Sequence, residues 1–277
     1  MSEGITGSDF IRRMAPAVAE AARLVRSLEG AVANVPKTHE TGRAKQALTE
    51  ADEQAQECLL GALVEHFPRV CVAAEEDTPT VARFPDEGEA RVVIDPIDGT
   101  LHSYLEAKGP YAILVGLVVR GRYEAGLVAL PREGMLFAAA RGEGVFRVRS
   151  GGPLRATGLQ PRGTRILVSH ELPPACGAWL ERAGCEVVPA CGGAIAIAPL
   201  IPGVRAGLRV SRSPGPGISI RGRIGVLLTA LAGGVARGDA GMPFPEDDTT
   251  RAATLRVSAG EEDQRLLAAA LAAAGIA

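Results

Sequence analysis

The sequence predicts a layered α/β protein, and two patterns carry that expectation. The first half sets two amphipathic helices ahead of a run of short apolar strands, and the second half alternates strand with helix to its end. Ile11, Met14, Val18, Ala21, Val25 and Leu28 recur at steps of three and four, which predicts a first helix with Ser8 as N-cap and Gly30 as stop. A second helix opens at Thr49 and places Ala55, Cys58, Leu59, Ala62 and Leu63 on one face before Pro68. Strands are expected near 70–74 and 91–94. A meander follows over 112–119, 123–130, 135–139 and 145–148, separated by the glycine-bearing turns that hairpins require. The glycine- and proline-rich stretch 150–163 is the expected boundary between a domain spanning 1–155 and one spanning 156–277. Beyond it, strands at 165–169, 186–189, 207–211 and 254–257 alternate with helices at 174–183, 192–200, 224–231 and 261–274.

Composition narrows the function classes. At 277 residues the chain can support two modest cores. A net charge of −2 gives no reason to expect a nucleic acid or an anionic membrane as partner. Lys37, Lys45 and Lys108 are its only lysines, so arginine supplies nearly all positive charge. No apolar run reaches the ~18 residues that a membrane span needs. The start, Met1-Ser2-Glu3-Gly4-Ile5, lacks the basic and apolar regions of a secretory signal. Cys58, Cys71, Cys176, Cys185 and Cys191 are odd in number and form no Cys-x-x-Cys pair, so buried thiols in a reducing cytoplasm are expected.

The most informative stretch is Val92-Val93-Ile94-Asp95-Pro96-Ile97-Asp98-Gly99-Thr100. An apolar strand delivers Asp95 at its end, Pro96 bends the chain, and Asp98 returns to the same side. Gly99 and Thr100 can then open a helix whose free N–H groups face an anion. Hard carboxylate oxygens suit Mg²⁺, which completes its shell with water and substrate phosphate. Asp-Pro and Asp-Gly are also ordinary turn dipeptides, so the surrounding residues must decide. Upstream, Ala74-Glu75-Glu76-Asp77 follows a second apolar stretch, and Leu48-Thr49-Glu50-Ala51-Asp52 introduces the second helix.

These three acidic clusters, in this order, resemble the inositol monophosphatase family of metal-dependent phosphatases, relatives of fructose-1,6-bisphosphatase. The family pattern runs from a Thr-x-x-Asp-like start through Gly-Glu-Glu to Asp-Pro-Ile-Asp-Gly-Thr; here Ala74 replaces the glycine. The resemblance implies an α/β/α/β/α five-layer sandwich and hydrolysis of a small inositol, sugar or polyol phosphate with Mg²⁺ as cofactor. It also implies that Glu76, Asp95, the carbonyl of Ile97 and Asp98 bind metal. Asp52 and Thr100, with Glu76, would serve catalysis by orienting the attacking water, and the N–H groups of Gly99 and Thr100 would hold phosphate. A homodimer is expected from the resemblance alone. Glu75 and Asp77 read as solvated loop acids, Asp52 as equally able to close a capping box, and Lys37 as weak support.

The second half resembles the family less closely. Cys191-Gly192-Gly193-Ala194 sits where the family has a Gly-Ser-Ala-Ala helix start, and Ala232-Gly233-Gly234 and Gly241-Met242-Pro243-Phe244 match family segments; in the first half, His102-Ser103 stands where the family has Asn-Phe. A family Trp-Asp pair, eleven residues before Ala-Gly-Gly, falls on Ile220-Arg221. The aspartate that would bind a second metal is therefore missing. An arginine ~4 Å from Mg²⁺ would repel it by roughly 8 kcal/mol at an effective dielectric near 20. Arg221 accordingly either swings away as a surface residue or takes the second cation's place beside the phosphate, a role its paired donors suit. Two alternatives follow: a nucleotidase acting on 3′(2′),5′-bisphosphates, or a degenerate protein that binds a phosphorylated metabolite without hydrolysing it.

Overall fold

The computed structural model describes residues 5–37, 48–148, 152–211, 217–245, 247 and 252–276. Strands β1 (Cys71–Ala73), β2 (Ala90–Asp98), β3 (Ala112–Val119), β4 (Arg122–Leu130), β5 (Met135–Ala140), β6 (Gly144–Val148) and β7 (Arg155–Ala156) form a seven-stranded sheet in chain order. β1 and β2 pair in parallel, and the rest is the antiparallel meander. A second sheet has the order β11 (Val235–Arg237), β12 (Thr254–Ser258), β10 (Val204–Val210), β8 (Arg165–Val168), β9 (Glu186–Pro189).

Alternation along each strand sends neighbouring side chains to opposite faces, and six helices among the described residues cover those faces. Val92, Ile94, Ile113, Val115 and Leu127 pack against α1 (Gly7–Leu28) and α2 (Glu50–His66). Val93, Leu114, Val128 and Phe137, from the opposite face, join Ile195 of α4 (Gly192–Ala196), Ile224 and Leu228 of α5 (Arg223–Leu231) and Val257 of β12. The far face of the second sheet, with Ile166, Val168 and Leu208, packs on α3 (Pro174–Arg182) and α6 (Glu261–Ala273). Three clusters between five layers make an α/β/α/β/α sandwich. Its central cluster draws on residues from both sides of the 155/156 boundary expected from composition.

Four local differences from the sequence reading have simple causes. Thr6, not Ser8, caps α1 and accepts a hydrogen bond from the Asp9 N–H at 3.1 Å; Phe10 is already buried, so the first turn must start earlier. The acid-bearing strand continues through Asp98, with a register break after Asp95 where Pro96 has no N–H to donate. The expected helix at 192–200 divides into α4 and a 3₁₀ turn at Ala198–Leu200 that contains Pro199. β7 and β11 are too short to leave a periodic signal. No helix among the described residues is long and apolar enough to cross a membrane.

Candidate functional site

Parallel pairing of β1 with β2 points both strands' carboxyl ends the same way. The register aligns Cys71 with Arg91 and Ala73 with Val93, an offset of twenty residues. Continued past the ladder, that offset sets Glu75 level with Asp95 and Glu76 level with Pro96. Level residues of parallel strands share a face, so Glu75 faces with Asp95 while Glu76 turns toward the helical layer beneath.

The contacts follow this alternation. Glu76 Oε1 accepts a hydrogen bond from Lys37 Nζ at 2.6 Å, inside a buried pocket. Its backbone is clamped by Gln56 of α2: Gln56 Nε2 donates to the Glu76 carbonyl at 2.7 Å, and the Glu76 N–H donates to Gln56 Oε1 at 2.9 Å. Burial raises the Glu76 pKa, with Lys37 opposing. Glu75 sits 3.8 Å from Lys37 and presses electrostatically on both Asp95 and Asp98. The Asp95 carboxyl is pushed well up, first by burial and then by Glu75 and Asp98, and its buried Oδ1 has no hydrogen-bond partner.

Asp52 lies at the first turn of α2 and is 1 % exposed. The Thr49 N–H and hydroxyl donate to its Oδ2 at 2.8 and 2.6 Å, and Thr100 Oγ1 lies 3.1 Å from its Oδ1. The capping contact and the link to Thr100 therefore coexist on one carboxyl. The Thr100 hydroxyl also donates to the Ile97 carbonyl at 2.8 Å, so a single proton is shared between two acceptors. Burial dominates at Asp52 and lifts its pKa to about 7. Between Asp98 and Thr100, Gly99 adopts φ +93° and heads the short π-helix Thr100–Leu105. A Cβ there would come within 2.7 Å of Cys191 Cβ, so both conformation and space require glycine.

Asp98 Oδ2 accepts a hydrogen bond from the Gly193 N–H. Its pKa is raised by burial, while the Arg209 guanidinium is the largest opposing influence. Burial also pushes the Cys191 thiol well above the usual range. Arg221 does not lie on the surface. Its Nε donates to the Ile94 carbonyl at 3.1 Å and its Nη2 to the Ala74 carbonyl at 3.0 Å. Ala74 and Ile94 are the first pair beyond the β1–β2 ladder, so Arg221 ties the two acid-bearing strand ends together where backbone pairing stops. The Tyr123 hydroxyl, donating to the Ile220 carbonyl at 2.7 Å, fixes the segment that carries it.

These residues fit one hard divalent cation. Glu75, Asp95 and the Ile97 carbonyl offer oxygen donors, and the orphaned, charge-crowded Asp95 Oδ1 is the group such a cation would satisfy. Among the described residues no three acidic, histidine or cysteine side chains close on one point, so protein carboxylates alone would not fill a cation's shell there. The position of the missing aspartate does not fit a second cation, because Arg221 brings a fixed positive charge there.

Reasoning from the sequence singled out Asp52, Glu76, Asp95, Ile97, Asp98, Gly99, Thr100 and Arg221, and all stand at this end of the two strands. Glu75 was not among them, because the sequence reads it as a solvated loop acid; the geometry pairs Glu76 with Lys37 and sets Glu75 level with Asp95. The twenty-residue spacing between the two acid clusters was the signal that pairs them. Arg209 was not singled out, and Gly193 only as part of Cys191-Gly192-Gly193-Ala194, since only the docking of the second sheet brings them to Asp98. His102 stacks on His170 with ring centroids 4.7 Å apart, and its Nδ1 lies 3.0 Å from Glu106.

The family model "Inositol monophosphatase family" matches residues 10–173. A histidinol-phosphatase of Chlorobaculum parvum is 30% identical over 124 residues, covering 45% of this chain and 45% of that protein. A Nus factor SuhB of Salmonella typhimurium is 26% identical over 161 residues, covering 53% and 59%. The chain thus spans about half the length of the curated relatives it matches. An IMPase of Thermotoga maritima shares the fold with a TM-score of 0.71 at 20% identity, covering 96% of this chain and 98% of that one.

Proposed function

The chain belongs to the inositol monophosphatase family, and from that premise we propose that it hydrolyses a small phosphate monoester with Mg²⁺ as cofactor. The observation that carries the proposal is the gathering of Glu75, Asp95 and Asp98 beside the Asp52–Thr100 pair. One group of acids is arranged to hold a cation, and the other to handle a proton. Their adjacency is what hydrolysis by an attacking water needs.

Glu75, Asp95 and the Ile97 carbonyl would hold Mg²⁺, with Asp98 alongside. Bound there, Mg²⁺ supplies Lewis-acid stabilisation of phosphate oxygens and makes water more acidic. The Thr100 hydroxyl turns its proton toward Asp52 and offers its lone pairs to the attacking water. Asp52, poised at about 7, takes up that proton near neutral pH. Lys37 neutralises Glu76 behind Glu75 and keeps the acid pair from repelling itself. The amides of Gly99 and Thr100, free of helical partners at a first turn, would hold phosphate oxygens as charge develops on them. Substrate choice falls to the second half of the chain, and a cytoplasmic homodimer belongs to the same proposal.

A panel of inositol, sugar, polyol and nucleotide phosphates, assayed for phosphate release as Mg²⁺ is raised from zero, tests this reading. Hydrolysis of at least one ester, abolished by chelator, is expected, and the preferred ester names the substrate class. The two arginines beside the acids favour a second reading, a binder that does not hydrolyse. No release across the panel, with a phosphorylated compound still raising the melting temperature, would select it.

A further inference from the structure

We propose that Arg209 is a phosphate-binding cation of this site, a role that rests on the phosphatase reading above. Arg209 lies on β10, where Ala206, Leu208 and Val210 face outward to α3 and α6. By alternation Arg209 points the other way, into the layer between the sheets. That layer is mostly apolar, and Arg223, a buried guanidinium on it, already has carbonyl partners at Pro245 and Asp247.

Its seat is built from missing side chains. A Cβ on Gly192 would lie 2.1 Å from Arg209 Nη1, and one on Gly222 would lie 2.9 Å from the same atom. The guanidinium is therefore wedged between the start of α4 and the start of α5. Gly193, the residue next to this seat, holds Asp98 through its N–H. Arg209 is thus delivered to the acid cluster from the second sheet, opposite the strand ends that bear Glu75 and Asp95.

Arg209 forms no hydrogen bond and no ion pair within 4.0 Å among the described residues, although it is partly buried. Arg221, by contrast, already spends two donors on the Ala74 and Ile94 carbonyls. The arginine at the aspartate's place is a strut with two of its five N–H groups committed to carbonyls, whereas Arg209 commits none among the described residues. A guanidinium with open donors, beside carboxylates arranged for a cation, matches a tetrahedral dianion that bridges the two. Arg209 would take phosphate oxygens on the side away from the Glu75–Asp95 cation, fixing the phosphate by hydrogen bonds.

The test is calorimetric titration of the full chain with inorganic phosphate, in Mg²⁺ and again in chelator, for the wild type, Arg209→Met and Arg209→Lys. Loss of a charge-assisted pair is expected to weaken phosphate binding about 10- to 100-fold in Arg209→Met under both conditions. Arg209→Lys should retain part of the affinity, because it keeps the charge and loses the fork. The rise in melting temperature caused by phosphate should fall in the same order. Wild-type phosphate affinity in Arg209→Met, or in Arg209→Lys if the methionine variant does not fold, overturns the proposal. If such a variant is also less stable, Arg209 is only a structural partner of Asp98. Ester hydrolysis by the wild type alongside that result leaves the phosphatase reading standing. A wild type that neither binds phosphate nor releases it overturns both.

Discussion

Replacing Asp52 with asparagine should make the protein more stable at neutral and alkaline pH while removing its activity. The substitution keeps the shape. Asparagine Oδ1 can accept both Thr49 donors that now reach the carboxylate at 2.8 and 2.6 Å. Its amide can donate to Thr100 Oγ1, whose own proton is free to go to Ile97 at 2.8 Å. What disappears is a buried charge. The Asp52 pKa is lifted from 3.8 to about 7 in the folded protein. A folded-state pKa above the unfolded one means that the folded state binds more protons between the two values. Stability is therefore intact below the unfolded pKa and falls as pH rises toward the folded one. The loss runs at about 1.4 kcal/mol per pH unit and levels off above about pH 7, at roughly 4 kcal/mol in all. Urea unfolding of wild type and Asp52→Asn, in chelator at about pH 5 and about pH 8, isolates this group because the other acids are common to both proteins. The variant's advantage should widen by about 2–3 kcal/mol between the two pH values. An advantage that stays flat or shrinks would show that Asp52 is not held near neutrality by burial. The reasoning that gives it a proton to accept at neutral pH would then collapse.

Four further substitutions separate the roles of neighbouring groups. Asp98→Ala should reduce ester hydrolysis by at least about 100-fold while leaving circular dichroism and cooperative unfolding unchanged, since it removes a buried charge rather than a packed apolar group; retained turnover would place the chemistry elsewhere. Glu75→Gln should weaken Mg²⁺ binding at least about 10-fold by calorimetry, whereas Glu76→Gln should weaken it less and chiefly lower the melting temperature by releasing Lys37. The reverse order would return the ligand role to Glu76. Arg221→Asp should cost about 2–4 kcal/mol of stability, because two carbonyls lose charged donors and then face a carboxylate. A gain in Mg²⁺-dependent turnover in that variant would instead mark Arg221 as the replacement of a working ligand.

Much of the fold was legible because its elements carry their own signals. The meander strands alternate around glycine turns, α1 repeats at three and four, and Thr49 with Asp52 marks the start of α2. What stayed hidden depends on pairing between distant segments. Glu75 and Glu76 are equivalent as letters, and only the parallel register of β1 on β2 decides which one faces Asp95. Arg221 could be counted to its position, but its partners are two backbone carbonyls, which no side-chain pattern announces. Arg209 was invisible for the same reason. Its neighbours Gly192 and Gly222 matter for the side chains they lack, and a glycine gives no sign of what occupies its space. Composition places a boundary at 155/156, and the central cluster draws on both sides of it, because the helices α4 and α5 of the second half cover the inner faces of both sheets.

The exchange at position 221 is best understood through charge. An arginine in place of an aspartate changes the local charge by two units, which is the charge of one Mg²⁺. A chain that made this exchange can keep the electrostatic balance of its acids with one fewer divalent ion. Balance is not equivalence, however. A guanidinium brings its charge with fixed, directional donors and no exchangeable coordination sites, so it can hold an oxygen but cannot activate a water. Activation must then rest on the Glu75–Asp95 side, where carboxylate oxygens remain available. The Asp52–Thr100 pair lies within reach of Ile97 on that same side. Arg221 has gone further still, since two of its donors hold the strand ends that present those carboxylates. On the proposed reading the cluster divides its work, with activation at the strand ends and anchoring by Arg209 from the second sheet. That division makes the departure from the family pattern compatible with chemistry, rather than a mark of its loss.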